Sequence, residues 1–172
     1  GVVDKAMVKS MAKAPLLMTL ANPTPEIMPE EVREARSDAI ICTGRSDYVN
    51  QVNNALCFPF IFRGALDVGA TTINEEMKLA CVRAIADLTH EQAPAEVAAV
   101  YGDAPLSFGP EYLIPKPFDT RLILKITPAV AKAAMDSGVA TRPIKDFEAY
   151  EESLLKFVFK SGQLMRPIYD RA

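Results

Sequence analysis

Between residues 14 and 69, two short apolar runs each stop abruptly at polar residues, and this pattern constrains the fold more than any other in the chain. The first run, 15–20, stops at Asn22-Pro23; the second, 39–42, stops at Thr43-Gly44-Arg45-Ser46. A short apolar run between turn signals reads as a strand buried on both faces. Strands are therefore expected over 16–21 and 38–43. Between them, Pro29-Glu30-Glu31 starts a helix that ends near Arg36-Ser37. Proline suits a first helical turn, and acidic side chains favour the positive end of the helix dipole. Strand, helix and strand in about 30 residues make a βαβ unit with a right-handed crossover. Ligands of open parallel sheets bind just beyond the carboxyl ends of the strands. On pattern alone, Asn22, Arg45, Asp47, Asn53 and Asn54 then share one crevice rim.

The remaining elements are mostly helical. Asp4 caps a short helix carrying Met7, Val8 and Met11 on one face. Asn53 or Asn54 opens a helix through Pro59 towards Leu66, with Gly64 and Gly69 flanking its end. Thr72-Ile73-Asn74-Glu75 fits a capping box. The helix after it carries Met77, Ala80, Cys81, Ala84, Ile85 and Leu88, the spacing of a core-facing stripe. Residues 92–117 are turn-rich, with one short helix over 95–101. Thr127-Pro128 starts a further helix with Val130, Ala131, Ala134 and Met135 inward and Gly138 past its end. Asp146 caps a last helix striped by Phe147, Tyr150, Leu154, Phe157 and Val158. Gly162 is expected to end it, leaving 166–172 as a polar tail.

Two strands are too few for a complete domain of this class, whose sheets usually have about five or six. The G-x-G-x-x-G turn that opens a dinucleotide fold is missing as well. The fold class is therefore α/β: the back half of a Rossmann-like parallel-sheet domain with a C-terminal helical extension. Residues 1–122 make the partial domain and 123–172 the extension. The chain begins at Gly1 rather than methionine, which fits a fragment.

Composition narrows the function classes. A length of 172 residues, with 49% hydrophobic and 24% charged residues, suits a soluble globular core. A net charge of −3 without a Lys/Arg stripe argues against nucleic acid. No apolar run approaches the roughly 20 residues of a membrane span, and no signal-peptide pattern opens the chain. Cys42, Cys57 and Cys81 sit in apolar settings without C-x-x-C spacing, so they read as reduced core thiols of a cytoplasmic protein rather than zinc ligands. His90 is the single histidine; it suits the end of its helix and has no triad partners in a recognisable spacing.

The amides carry the candidate chemistry. Asn22 offers donors and an acceptor to a hydroxy acid or a carboxamide, or simply ends the strand in an Asn-Pro turn. Asn53 and Asn54 at a helix start bind an anion, or merely cap the helix. Arg45 pairs bidentately with a phosphate or carboxylate, or with Asp47 as a surface ion pair. Arg63 reads as structural.

Five stretches together resemble the cofactor-binding domain of malic enzymes of the bacterial type. They are TLANPTPEI (19–27), TGRSDY (43–48), NQVNN (50–54), CFPFIFRGALDVGA (57–70) and YLIPKPFDTRL (112–122). Val49 and Thr120 stand where the family more usually has proline. The resemblance implies that Asn22 lies beside the nicotinamide and the substrate, that Asn54 contacts the dicarboxylate, and that Asn53, its neighbour, serves the cofactor side. It implies oxidation of (S)-malate at C2 by NAD or NADP, then decarboxylation to pyruvate with Mg or Mn as Lewis acid. The family's Lys and Tyr acid/base groups, its Glu/Asp metal ligands and its glycine-rich turn precede this stretch. No catalytic or metal-ligating residue is therefore assigned here. The expectation is a back wall of the cleft, inert alone, whose partners are malate or pyruvate, a missing N-terminal half and a further copy in a homo-oligomer. In bacterial relatives a phosphotransacetylase-like domain can follow. Two other readings stay open: a cofactor domain of the amino-acid dehydrogenase type, and a noncatalytic binding or scaffold domain.

Overall fold

A computed structural model of the chain describes residues 2–100 and 106–169. In chain order the elements are α1 (Lys5–Ser10), β1 (Leu16–Thr19), α2 (Pro29–Ala35), β2 (Ile40–Thr43), α3 (Phe58–Asp67), α4 (Glu75–His90), α5 (Ala95–Val100), α6 (Arg121–Asp136) and α7 (Phe147–Tyr169). They fall into two compact units, Gly1–Asn54 with Thr89–Pro117, and Ala55–Leu88 with Phe118–Ala172.

The first unit holds the βαβ core. β1 and β2 are parallel, in register from Leu16 opposite Ile40 to Thr19 opposite Thr43, with α2 between them in sequence. Pro29 sits in the first turn of α2, and the Glu31 carboxylate accepts the Met28 N–H at 3.4 Å. Val8, Leu17, Ile27, Val32 and Ile41 form the buried cluster. The expectation of two doubly buried strands holds for β2, where Ile41, Cys42 and Thr43 are all buried. It fails for β1: Leu17 and Thr19 are buried, but Leu16 is 50% and Met18 60% exposed. An apolar run reports what a strand can bury, not whether a covering layer is in place. The same holds for α1, capped by Asp4 as expected, where Val8 is buried but Met7 and Met11 are exposed.

A polar clamp fixes the entry to this layer. Arg36 donates to both carboxylate oxygens of Asp38 at 2.7 and 2.8 Å, and to the Met11 carbonyl at 2.8 Å. The Ala14 N–H donates to the same carboxylate at 2.8 Å. Ala14 has φ of +49°, so this contact accompanies a left-handed turn just before β1. α5 occupies the turn-rich stretch as expected, although residue 101 lies outside the described residues.

The second unit is helical. α6 is its centre, with Leu122, Ile126, Val130, Ala131 and Ala134 wholly buried. Here the expected start at Thr127-Pro128 is corrected: α6 begins at Arg121, and Pro128 lies inside it. The Asp119 carboxylate accepts the Arg121 backbone N–H at 2.9 Å and pairs with its guanidinium at 2.7 Å, organising that first turn. Proline removes one helical hydrogen bond, but the apolar stripe on both sides of it holds the helix together by packing. Gly64 and Gly69 flank the end of α3 as expected, Gly64 inside its last turn and buried against α6. Pro59 sits in the first turn of α3.

The helix expected after Thr72 starts at Glu75, and its cap is Asn74, whose Oδ1 accepts the Met77 N–H at 3.0 Å. Met77, Cys81 and Leu88 are buried as the stripe requires. Asp146 caps α7, accepting the Ala149 N–H at 3.0 Å. α7 does not stop at Gly162 but continues to Tyr169; residues 170–172 of the expected tail lie outside the described residues. One glycine costs a helix only about 1 kcal/mol relative to alanine, too little to terminate it.

Candidate functional site

The carboxyl ends of β1 and β2 lie side by side because the strands are parallel and in register. Asn22 leaves β1 three residues beyond its end, and Gly44 is the first residue beyond β2. The two meet. A Cβ placed on Gly44 would lie 2.9 Å from Asn22 Nδ2, 3.1 Å from Oδ1 and 3.3 Å from Cγ. The Asn22 carboxamide therefore rests against a bare α-carbon, at the place where a parallel sheet presents ligands.

The loop after Gly44 folds back on β2. The Val52 N–H donates to the Thr43 carbonyl at 2.8 Å, and Gln51 bridges Thr43 in the parallel sense. That return puts Asn53 and Asn54 directly past the end of β2. Asn53 is half-buried; Asn54 is exposed and opens a 3-10 turn, Asn54–Leu56. The structure thus brings Asn22 onto the start of the β2 loop and Asn53 alongside its return, with Asn54 one step further out.

Asn50 is the residue that sequence reasoning missed. It is 2% exposed with φ of +53°. Its amide donates to the Ile41 carbonyl at 3.1 Å and to the Pro110 carbonyl at 2.7 Å, and its Oδ1 accepts the Leu113 N–H at 2.8 Å. Asparagine tolerates the left-handed region, and here its side chain joins β2 to the 110–113 turn. The signal was present in NQVNN as a third asparagine. Gly44 was the other omission; a glycine directly after a strand marks close approach.

Arg45 and Asp47 do not line the rim as separate groups. Arg45 Nε and Nη2 donate to the two Asp47 oxygens at 2.9 and 2.6 Å, and the guanidinium lies 5.3 Å from the Tyr48 ring centroid. The guanidinium holds the Asp47 carboxyl below the usual carboxylate range. The Tyr48 hydroxyl donates to Glu30 at 2.9 Å, and this bond raises the phenol above its ordinary value. Below the rim, burial pushes the Cys42 thiol up, keeping it protonated and unreactive. The rim therefore offers neutral amides and a self-paired Arg–Asp couple, an arrangement that orients a polar ligand rather than attacking it.

Among the described residues, no group of three or more His, Cys, Asp or Glu side chains is placed to hold a metal ion. No helix among them is long and apolar enough to cross a membrane.

Comparison with known proteins identifies the lineage of this arrangement. The family model described as "Malic enzyme, NAD binding domain" matches residues 1–103. The NADP-dependent malic enzyme of Salmonella typhimurium is 68% identical over 171 residues, covering 99% of this chain and 22% of that protein. The NAD-dependent malic enzyme of Rhizobium meliloti is 64% identical over 174 residues, again with 22% of its length covered. Among solved structures, the malic enzyme of Pyrococcus horikoshii superposes with a TM-score of 0.80 at 38% identity, over 99% of this chain and 35% of that one. The chain spans about a fifth of the length of the curated relatives it matches.

Proposed function

The chain belongs to the malic enzyme NAD-binding domain family, and on that premise we propose that it supplies the back wall of a cleft that holds malate against NAD or NADP. The reaction of this reading is oxidative decarboxylation of (S)-malate to pyruvate and CO2. The observation that carries it is the Asn22 carboxamide seated on Gly44 at the paired strand ends. That cradle fits a nicotinamide group: a carboxamide can exchange donor and acceptor with another carboxamide or with a hydroxy acid. NAD(P)+, when bound, accepts the hydride from C2 of malate.

In this reading the residues of the chain position and do not react. Asn22 orients the nicotinamide and the substrate hydroxyl. Asn54, at the opening of its 3-10 turn, donates to a malate carboxylate, and Asn53 steadies the cofactor side. Asn50 fixes the loop that carries both. The divalent Mg or Mn with its ligands, and the acid and base, belong in this reading to the remainder of a longer enzyme that works as a homo-oligomer in the cytoplasm.

The test is malate-dependent NAD(P)+ reduction with Mn2+, by the chain alone and after addition of the recombinant front half of a bacterial malic enzyme. Activity is expected only on addition, with Asn54→Ala raising KM for malate at least tenfold, the order of one lost charge-assisted hydrogen bond. Activity from the chain alone, or full activity with both Asn22→Ala and Asn54→Ala, would overturn the reading.

A further inference from the structure

The two segments that leave the paired strands touch at two places within the first unit. The inner contact is Asn22 against Gly44 at the strand ends. The outer contact lies beyond it: the Tyr48 hydroxyl, on the loop after β2, donates to Glu30 Oε1 at 2.9 Å in the first turn of α2. Both segments are stiff between these points. On the β2 side, the Arg45 N–H donates to Thr43 Oγ1 at 3.2 Å. The Arg45–Asp47 fork then closes the arc and sets the guanidinium over the Tyr48 ring. On the β1 side, Glu26 accepts the Ala21 N–H at 3.2 Å, and Glu31 accepts the Met28 N–H just before α2. The Glu30 backbone N–H, then the Tyr48 hydroxyl, lower the Glu30 carboxyl from its ordinary value. It is therefore ionised at neutral pH, and a hydroxyl donating to a carboxylate makes the stronger class of hydrogen bond. Residues 22–30 and 44–48 thus form a closed frame, shut at one end by Asn22 on Gly44 and at the other by Tyr48 on Glu30.

We infer that Tyr48 is a positioning residue that acts through Glu30: it braces the loop after β2 against α2, so that Gly44 stays under the Asn22 carboxamide. Neither Tyr48 nor Glu30 touches the reacting atoms. Opening the outer contact lets the stiff 44–48 arc lift from α2, and Gly44 lifts with it. Asn22 then loses its seat, and a positioning group held loosely costs rate. Asn53 and Asn54 stay in place, because the Val52 N–H returns to the Thr43 carbonyl and Asn50 ties the loop to β2 and to the 110–113 turn. The signature is a fall in kcat without a rise in KM for malate, the reverse of the effect expected for Asn54→Ala. The inference rests on the proposed reaction and names a residue of the same cleft that does not itself meet the ligand.

The experiment uses the full chain joined by the front half of a bacterial malic enzyme, and reads kcat and KM separately. Tyr48→Phe, which removes only the hydroxyl, should lower kcat about 3- to 10-fold and leave KM for malate within about twofold. Glu30→Ala should match it, and the double variant should be no slower than either single one. Glu30→Gln, which keeps an acceptor for the hydroxyl, should recover most of the rate. A wild-type kcat in Tyr48→Phe, a rise in KM alone, or losses that multiply in the double variant would overturn the inference. If the wild-type pair is itself inactive, the proposed reaction fails, and the brace is read by NMR in the chain alone. There Tyr48→Phe should shift the signals of the Gly44 N–H and the Asn22 side-chain amide, while that of the Val52 N–H stays in place. Unmoved Gly44 and Asn22 signals would overturn the brace.

Discussion

Gly44 separates stability from function at a single α-carbon. An added Cβ would meet the Asn22 amide at 2.9 Å, and the amide is the far end of a flexible side chain. Gly44→Ala should therefore cost under about 1 kcal/mol in urea unfolding, since the carboxamide can swing away. In the complemented enzyme it should lower kcat/KM about 10- to 100-fold, because a shift of about 1 Å in a positioning group has that effect. Asn50 behaves in the opposite way. Its removal leaves the buried Ile41 carbonyl, the Pro110 carbonyl and the Leu113 N–H without this partner. Asn50→Ala is expected to destabilise by about 2–4 kcal/mol. Asn50→Gly, which relieves the φ of +53°, should recover only part of that. Asp38 gives the pH dependence. The Arg36 hydrogen bonds, then the Ala14 N–H, hold its carboxyl well below the usual range. A depressed folded-state pKa contributes stability that is complete above the ordinary carboxylate value of about 3.9 and fades as pH falls towards the folded value. The urea midpoints of wild type and Asp38→Asn should differ most at pH 6 and draw together progressively as the pH falls below about 4. At this scale the strand-end asparagines were legible because a polar residue directly after an apolar run is a local pattern. Asn50 was not, because its role depends on Pro110 and Leu113, some 60 residues away in sequence.

Among the helices, backbone contact rather than composition decides the packing of α3 on α6. A Cβ on Gly64 would come within 2.7 Å of the Thr127 carbonyl oxygen and 2.9 Å of Val130 Cβ. Unlike the Asn22 amide, a helix carbonyl cannot swing aside. Gly64→Ala is therefore expected to destabilise by about 1–3 kcal/mol through overpacking, although alanine is the better helix former. A rise in thermal midpoint for this variant would show that the two helices are not held so closely. The same interface explains where local reading succeeded and failed. The stripes of α4 and α6 were readable because periodicity directly reports the buried face. The start of α6 was not, because Thr127-Pro128 carries a strong local start signal that burial of Leu122 and Ile126 on its N-terminal side overrides. α7 runs past Gly162 for the related reason that one weak position does not stop a helix already propagating. Its docking is polar as well as apolar: the Tyr150 hydroxyl donates to Asp67 at 2.6 Å, and Arg63 donates to the same oxygen and covers Phe157.

For the molecule as a whole, the apolar surface is the informative quantity. On β1, Leu16 and Met18 stand 50% and 60% exposed; on α3, Phe58 and Leu66 stand 62% and 67% exposed. Scattered apolar residues on a surface need no explanation, but a strand face and a helix face that stay uncovered do. The Salmonella typhimurium and Rhizobium meliloti relatives are far longer than this chain, which spans 22% of each. A longer enzyme therefore has ample material to cover both faces, and the proposed function places the cleft's catalytic groups in that material. The 172-residue chain alone should then bind a hydrophobic dye and self-associate at micromolar concentration, through the outer side of β1, which pairs with no further strand among the described residues. Leu16→Lys with Met18→Lys should suppress that association while leaving the fold intact, because neither side chain is buried in the chain itself. In the complemented assay the same double substitution should weaken assembly with the front half, raising the concentration needed for activity at least tenfold. Sedimentation velocity and the activity titration check the two arms separately. A chain that is monomeric, dye-free and indifferent to both substitutions would show that these faces are tolerated surface rather than the seat of the missing layer.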